Sequence, residues 1–179
     1  MIYIFLAEGF EEIEALCPLD LMRRAGLAVT TVGIGGKNIT GSHNITVTAD
    51  ITDNEYDGSD AQMIFLPGGM PGTINLSESD TVKKAIGDAI KNDIFISAIC
   101  AAPSILGDMG LLNGKEAICY PGFEDRLKGA VISEKRVVRD GKIITAAGMG
   151  AAMDLGLEIV ALFCGAQKAV SLKKSVIYD

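Results

Sequence analysis

Histidine is almost missing from this chain, with His43 alone among 179 residues. Cysteine is sparse and scattered: Cys17, Cys100, Cys119 and Cys164 contain no C-x-x-C pair. A structural zinc site needs four such ligands at close spacing, so no metal is expected. A disulfide framework belongs to small secreted chains without a core, so the thiols are expected reduced and the protein cytoplasmic. Basic residues are also the minority, 16 against 23 acidic, for a net charge of −7. That balance points away from nucleic acid and from anionic membrane surfaces. The apolar run Met1–Ala7 is too short to span a membrane, and no basic stretch precedes it. There is no repeat, low-complexity tract or linker, so one domain over 1–179 is expected, and no cofactor.

What is present is an alternation of strand and helix patterns in a chain long enough for a substantial core. Met1–Ala7 reads as a central strand and 11–25 as a helix with acidic first turn, basic last turn and Gly26 beyond it. Leu27–Ile34 reads as a second strand, and Asn38–Val47 as a hairpin about Gly41-Ser42. Residues 51–60 read as a loop, and Gln62–Leu66 as a strand entering the Pro67–Gly72 turn. Glu78–Lys91 is an amphipathic helix with Ser77 as its expected N-cap. Ala117–Cys119 is a short strand, and residues 136–139 and 142–145 form a hairpin turned by Asp140-Gly141. Gly148-Met149-Gly150 opens a helix over Ala151–Phe163, and Val170–Ile177 reads as a tail or edge element. The fold class is therefore α/β with a mostly parallel central sheet, with sites expected at the strands' C-terminal ends.

The stretch Ile94–Leu106 carries the clearest chemistry. A buried apolar strand ends at Ile99, small residues follow, and Pro103 fits only a helix's first turn. Cys100 thus falls at a nucleophile elbow, at or just before a helix N-terminus whose unpaired N–H groups favour a thiolate. On local pattern alone, a buried inert thiol accounts for Cys100 equally well.

The order of motifs along the chain extends this. Glu11-Glu12-Ile13-Glu14, Pro18–Gly26, Leu66-Pro67-Gly68-Gly69, Asn75–Ser79 and Ala98-Ile99-Cys100-Ala101-Ala102-Pro103 occur in sequence, with Cys119–Glu124 further on. With these motifs the chain resembles the ThiJ/PfpI superfamily nearly end to end, in the branch of the parkinsonism-associated deglycase and its bacterial ThiJ-like members. The resemblance implies a flavodoxin-like three-layer sandwich and a homodimer. It implies that Cys100 is the reactive cysteine, that Glu14 is its partner, and that the N–H groups of Gly69 and Ala101 form an oxyanion hole. Some members carry His at the position of Tyr120; with Tyr there, that base is missing. His43 and Arg24 match positions that approach the partner subunit's site; for His43 a surface-turn His is the preferred reading, and for Arg24 a helix-end charge explains it equally well.

An ordinary thiol of pKa ~8.5 is only about 3% thiolate at neutral pH. Lowering it by ~3 units needs about 4 kcal/mol, of which a helix end supplies roughly 1 kcal/mol. An ionised Glu14 would oppose the thiolate, whereas a protonated one would hydrogen-bond to it, so the two are expected to share one proton. Pro18 cannot donate to the carbonyl of Glu14, so either the helix is loosened there or it starts at Pro18. Cys17 and Cys164 are expected in the core, and Cys119 either there or near the pocket through the Tyr120 loop.

Three functions suit an acidic thiol. The first is a glyoxalase or deglycase acting on small reactive carbonyls such as methylglyoxal, without metal or glutathione. The second is an oxidant sensor or stress chaperone whose Cys100 is oxidised to sulfinate. The third, a cysteine peptidase, lacks an evident paired His.

Overall fold

The computed structural model describes residues 1–178. In chain order its elements are β1 (Ile2–Leu6), α1 (Glu12–Ala25), β2 (Val29–Gly33), β3 (Asn38–Thr40), β4 (Thr46–Thr48), β5 (Ile51–Thr52), β6 (Met63–Leu66), α2 (Gly72–Glu78), α3 (Asp80–Lys91), β7 (Phe95–Ile99) and α4 (Pro103–Asp108). There follow β8 (Glu116–Ala117), β9 (Val131–Ile132), β10 (Val137–Asp140), β11 (Ile143–Ala146), α5 (Ala152–Cys164) and α6 (Ala166–Ser175). Seven strands form the main sheet in the order β10-β11-β7-β6-β1-β2-β5, parallel except at the β10–β11 hairpin. The expected α/β class and mostly parallel central sheet are therefore found.

The three layers follow from the period-2 alternation of strand side chains. In β1, Ile2, Ile4 and Leu6 face a core shared with α1, α5 and α6. Tyr3 and Phe5 face the opposite core, shared with α3 and α4. Both faces are covered, which is why the central strands read as unbroken apolar runs. The close approach of α1 and α5 depends on Gly156, where a Cβ would stand 2.7 Å from Leu21 Cδ1 and 3.1 Å from Pro18 Cα. α1 runs unbroken through Pro18, which settles the reading of that residue as interior, not as a helix start. The helix ends at Gly26 in the left-handed region, where N–H groups of Gly26 and Leu27 turn back to Arg23 and Met22 carbonyls.

Several local expectations are corrected. Residues 72–78 form a helix of their own, so the N-cap of α3 is Ser79, which accepts from the Val82 N–H at 3.3 Å, and not Ser77. β5 adds a two-residue edge strand inside the stretch read as a loop. The 117–119 strand shortens to β8 and pairs with β9 in a separate small sheet. The C-terminal segment is the helix α6, because Ala169 and Leu172, three apart, bury one side of it. Among the described residues no helix is long and apolar enough to cross a membrane.

Candidate active site

The parallel strands β1, β6, β7 and β11 bring four chain segments to one edge of the sheet. β7 ends at Ile99, and the next residue, Cys100, adopts φ +64°. A left-handed backbone is costly for a side chain with a Cβ and persists only where the surroundings hold it. Here the Cys100 N–H donates to Ala146 O at 2.9 Å and its carbonyl accepts from the Tyr120 N–H at 2.8 Å. The strand-to-helix turn expected at Cys100 is thus present, with the thiol half-buried.

Glu14, in the first turn of α1, is 1% exposed. Its Oε2 accepts the Gly68 N–H at 3.0 Å, and the Cys100 thiol and the Met149 backbone lie close enough to act on the carboxyl's protonation. The N–H groups of Ala101 and Gly69 stand near the Cys100 sulfur and favour its thiolate. The α1 entry is tied to the glycine turn by the Glu11 N–H, which donates to Gly68 O at 2.9 Å. Gly69 sits at φ +90°, and a Cβ there would lie 2.6 Å from Gly9 O. The turn can therefore pass this close to the first loop only as glycine.

Burial dominates the electrostatics. It pushes the Glu14 carboxyl up to about 7, against the hydrogen bonds from Cys100 and Gly68. It also pushes the Cys100 thiol up, with the Glu14 charge and hydrogen bond next, to about 12, while the Ala101 and Gly69 N–H groups pull down. A thiol lowered by the helix end is not what this environment produces, because α4 has only six residues and desolvation outweighs it. Two buried negative charges in contact exclude each other, so above about pH 7 the pair keeps a single proton, held on Cys100, and below it both groups are protonated.

One residue away from the pair, on the far side of Tyr120 and Gly148, lies an open cavity of about 450 Å³ lined by Tyr120, Pro121, Arg136 and the loop 147–151. A Cβ on Gly148 would stand 3.2 Å from the Tyr120 ring and 3.9 Å from Glu14 Oε1, so this loop is the wall between cavity and carboxyl. Gly148-Met149-Gly150 reads locally as a helix start, and nothing in those three residues marks the loop's part in the site. The signal was β11, whose C-terminal end must share an edge with that of its parallel neighbour β7.

Cys100, Glu14, Gly69, Ala101 and Tyr120 are thus brought together, and two candidates are engaged elsewhere. Arg24 pairs with Asp20 at 2.6 Å and lines a groove with Cys17, Leu21 and Met153. His43 lies at the hairpin tip, with Nδ1 3.1 Å from Glu12 and 3.4 Å from Glu11; these are its ionic contacts, and none is with Cys100. Those three residues are the one group among the described residues whose donor atoms gather within 4.8 Å as metal ligands would. Cys119 is buried in the α3–α4 layer, whereas Cys100 packs against the α1–α5 layer. Cys17 is half-buried, and Cys164, expected in the core, is exposed at the end of α5.

The DJ-1/PfpI family model matches residues 1–162. The chain belongs to the DJ-1/PfpI family. It is 36% identical over 179 residues to the Parkinson disease protein 7 homolog of Danio rerio, covering 97% of this chain and 95% of that one. It is 28% identical to a glutathione-independent glyoxalase of Caenorhabditis elegans, covering 93% and 90%. The solved structure of oxidized DJ-1 from Toxoplasma gondii superposes with a TM-score of 0.94 at 28% identity, covering 99% and 97%. The DJ-1-type architecture is flavodoxin-like, as the sequence resemblance implies.

Proposed function

We propose that the protein is a metal- and glutathione-independent glyoxalase or deglycase acting on small α-oxoaldehydes such as methylglyoxal. One observation carries this reading: a half-buried thiol, a buried carboxyl of raised pKa and two converging N–H donors meet beside a cavity. A relative that is a glutathione-independent glyoxalase supports it.

In the ionised state, Glu14 takes the Cys100 proton as the sulfur bonds to the aldehyde carbon, giving a hemithioacetal. Negative charge on the former carbonyl oxygen is met by the Gly69 and Ala101 N–H groups. Glu14 hands the thiol proton on to that oxygen, completing the hemithioacetal, and, ionised again, moves the C1 proton to C2 by way of an enediol, leaving an α-hydroxy thioester. Water hydrolyses the thioester, returning the thiol and releasing the hydroxy acid. The net change is addition of one water, with no external oxidant or reductant. A carboxyl poised near neutral pH suits this acid–base cycle better than a permanently ionised one.

Methylglyoxal turnover to lactate, without added metal or glutathione, tests the reading. Cys100→Ser and Glu14→Ala are each expected to lose ~100-fold or more. Equal turnover by wild type and Cys100→Ser would overturn it.

A second reading is oxidant sensing. The same carboxyl, when protonated, can donate a hydrogen bond to a Cys100 sulfinate, and a relative of the same fold has been solved oxidized.

A further inference from the structure

The open cavity beside the Gly148 loop, about 450 Å³, offers room for more than a three-carbon oxoaldehyde. Its lining is mostly small or apolar: Ala147, Gly148, Met149, Gly150, Ala151 and Pro121, with the Tyr120 ring. One lining residue carries a charge, Arg136.

Arg136 is held there by backbone and side chain together. Its carbonyl accepts the Ala147 N–H at 3.0 Å, which registers it against the loop that walls off Glu14. Its Nε is 3.0 Å from Asp154 Oδ2, and one Nη2 donates to Gly150 O. Asp154 is fixed in turn by the Tyr178 hydroxyl, which donates to Oδ1 at 2.8 Å. A guanidinium has five N–H groups, so this anchoring leaves donors free, and the side chain is 61% exposed. The paired Asp154 offsets the charge at long range. Discrimination therefore comes from direct hydrogen bonds, for which a carboxylate's two oxygens suit the planar fork.

We infer that Arg136 is a specificity residue that binds an anionic group on the substrate, so that the preferred oxoaldehydes carry a carboxylate or similar anion at the end remote from the aldehyde. The inference rests on the glyoxalase reading. In this arrangement the anionic end lies against Arg136 in the cavity, and the aldehyde end reaches Cys100 over the edge of Gly148, which faces both the Tyr120 ring and Glu14. The chemistry at the sulfur is unchanged: the C1 hydrogen moves to C2 and one water is added.

A matched pair of substrates isolates the charge. The five-carbon 4,5-dioxopentanoate and 2-oxopentanal share the oxoaldehyde end and differ in a terminal carboxylate against a methyl. Wild type is expected to favour the anion in kcat/KM. Arg136→Gln is expected to lower kcat/KM for the anion by about tenfold or more through KM, the loss of a hydrogen bond to a charged group. The methyl compound should stay within about twofold in that variant, and Arg136→Lys should restore part of the preference. Equal effects on both compounds, or none on either, would overturn the inference.

Binding decides the matter separately from turnover. Glutarate, which cannot react, is titrated into isotope-labelled protein while the amide signals of Gly148 and Gly150 are followed by NMR. Saturable shifts in wild type, lost in Arg136→Gln, support an anion site even if neither oxoaldehyde is consumed. In that case the glyoxalase reading fails and the subsite stands. Absence of shifts in wild type, or equal shifts in the variant, would remove the subsite while leaving methylglyoxal turnover untouched.

Discussion

The carboxylate of Glu14 occupies the place where a side chain on Gly68 would begin. Gly68 donates its N–H to Glu14 Oε2 at 3.0 Å, and a Cβ on it would lie 2.5 Å from that same oxygen and 2.6 Å from Cys100 Cβ. The glycine is thus the spacer that lets acid and thiol meet.

Gly68→Ala should therefore act on the site first. Both neighbours are held by the α1 and β7 frames, so the methyl must displace one of them. Methylglyoxal turnover is expected to fall ~100-fold, alongside a stability loss of about 1–3 kcal/mol typical of overpacking, read from urea unfolding. Wild-type activity in this variant would show that the Glu14–Cys100 contact is not needed.

Glu14 also sets two pH dependences. As a base it must be ionised, so kcat/KM for methylglyoxal should rise with pH through about 7 and then level. For stability the sign is opposite. The folded-state pKa lies above the ordinary 4.5, so the contribution is full below pH 4.5 and is lost as pH rises through about 7. At 1.36 kcal/mol per pH unit the loss is at most about 3 kcal/mol. The stability difference between wild type and Glu14→Gln, measured by urea unfolding from pH 4 to 8, should trace this fall. A constant difference would mean that Glu14 titrates as a surface acid does.

Peroxide should discriminate among the cysteines by environment more than by exposure. Cys164 is the exposed thiol, yet Cys100 has N–H donors and a carboxyl able to take its proton. Peptide mass spectrometry over a peroxide series is expected to find two oxygens on Cys100 ahead of Cys164, with buried Cys119 last. Glu14→Asp should change the oxidation state reached, because the shorter side chain lengthens the hydrogen bond to the product. Cys164 reacting first, or no response to Glu14→Asp, would leave Cys100 an ordinary thiol.

The homodimer implied by the family resemblance has a candidate surface. Ile13 on α1 and Ile45 on the β3–β4 hairpin are 49% and 54% exposed, on either side of the Glu12–His43 contact. We propose that a second copy covers them. Light scattering at micromolar concentration should give twice 18.8 kDa, and Ile13→Glu should halve the mass. A wild-type mass of one chain would remove the proposal, and with it any role for His43 across the interface.

The sequence by itself determined the layers and the turn. Apolar runs with helix patterns between them specify a parallel sheet covered on both faces, since only that arrangement buries both sides of a strand. Ile99-Cys100 followed by small residues and Pro103 specified the elbow, because strand, turn and helix-start signals are local in sequence. Glu14 became legible through the order of motifs in the resemblance, since the one local mark on it, Pro18 four residues on, concerns its backbone and not its carboxyl. Only the tertiary structure decided how Cys100 and Glu14 share a proton. Sequence reasoning weighed a helix end against a neighbouring charge, whereas enclosure by α1, the glycine turn and the 147–151 loop makes desolvation the leading influence. The same holds for Arg136, whose place at the cavity depends on the register of β10 against β11 and on the fold of the 147–151 loop, and for α6, which is a helix because α5 offers it a face. Burial and register are properties of the packed chain, set by segments far apart in sequence, and no local pattern carries them.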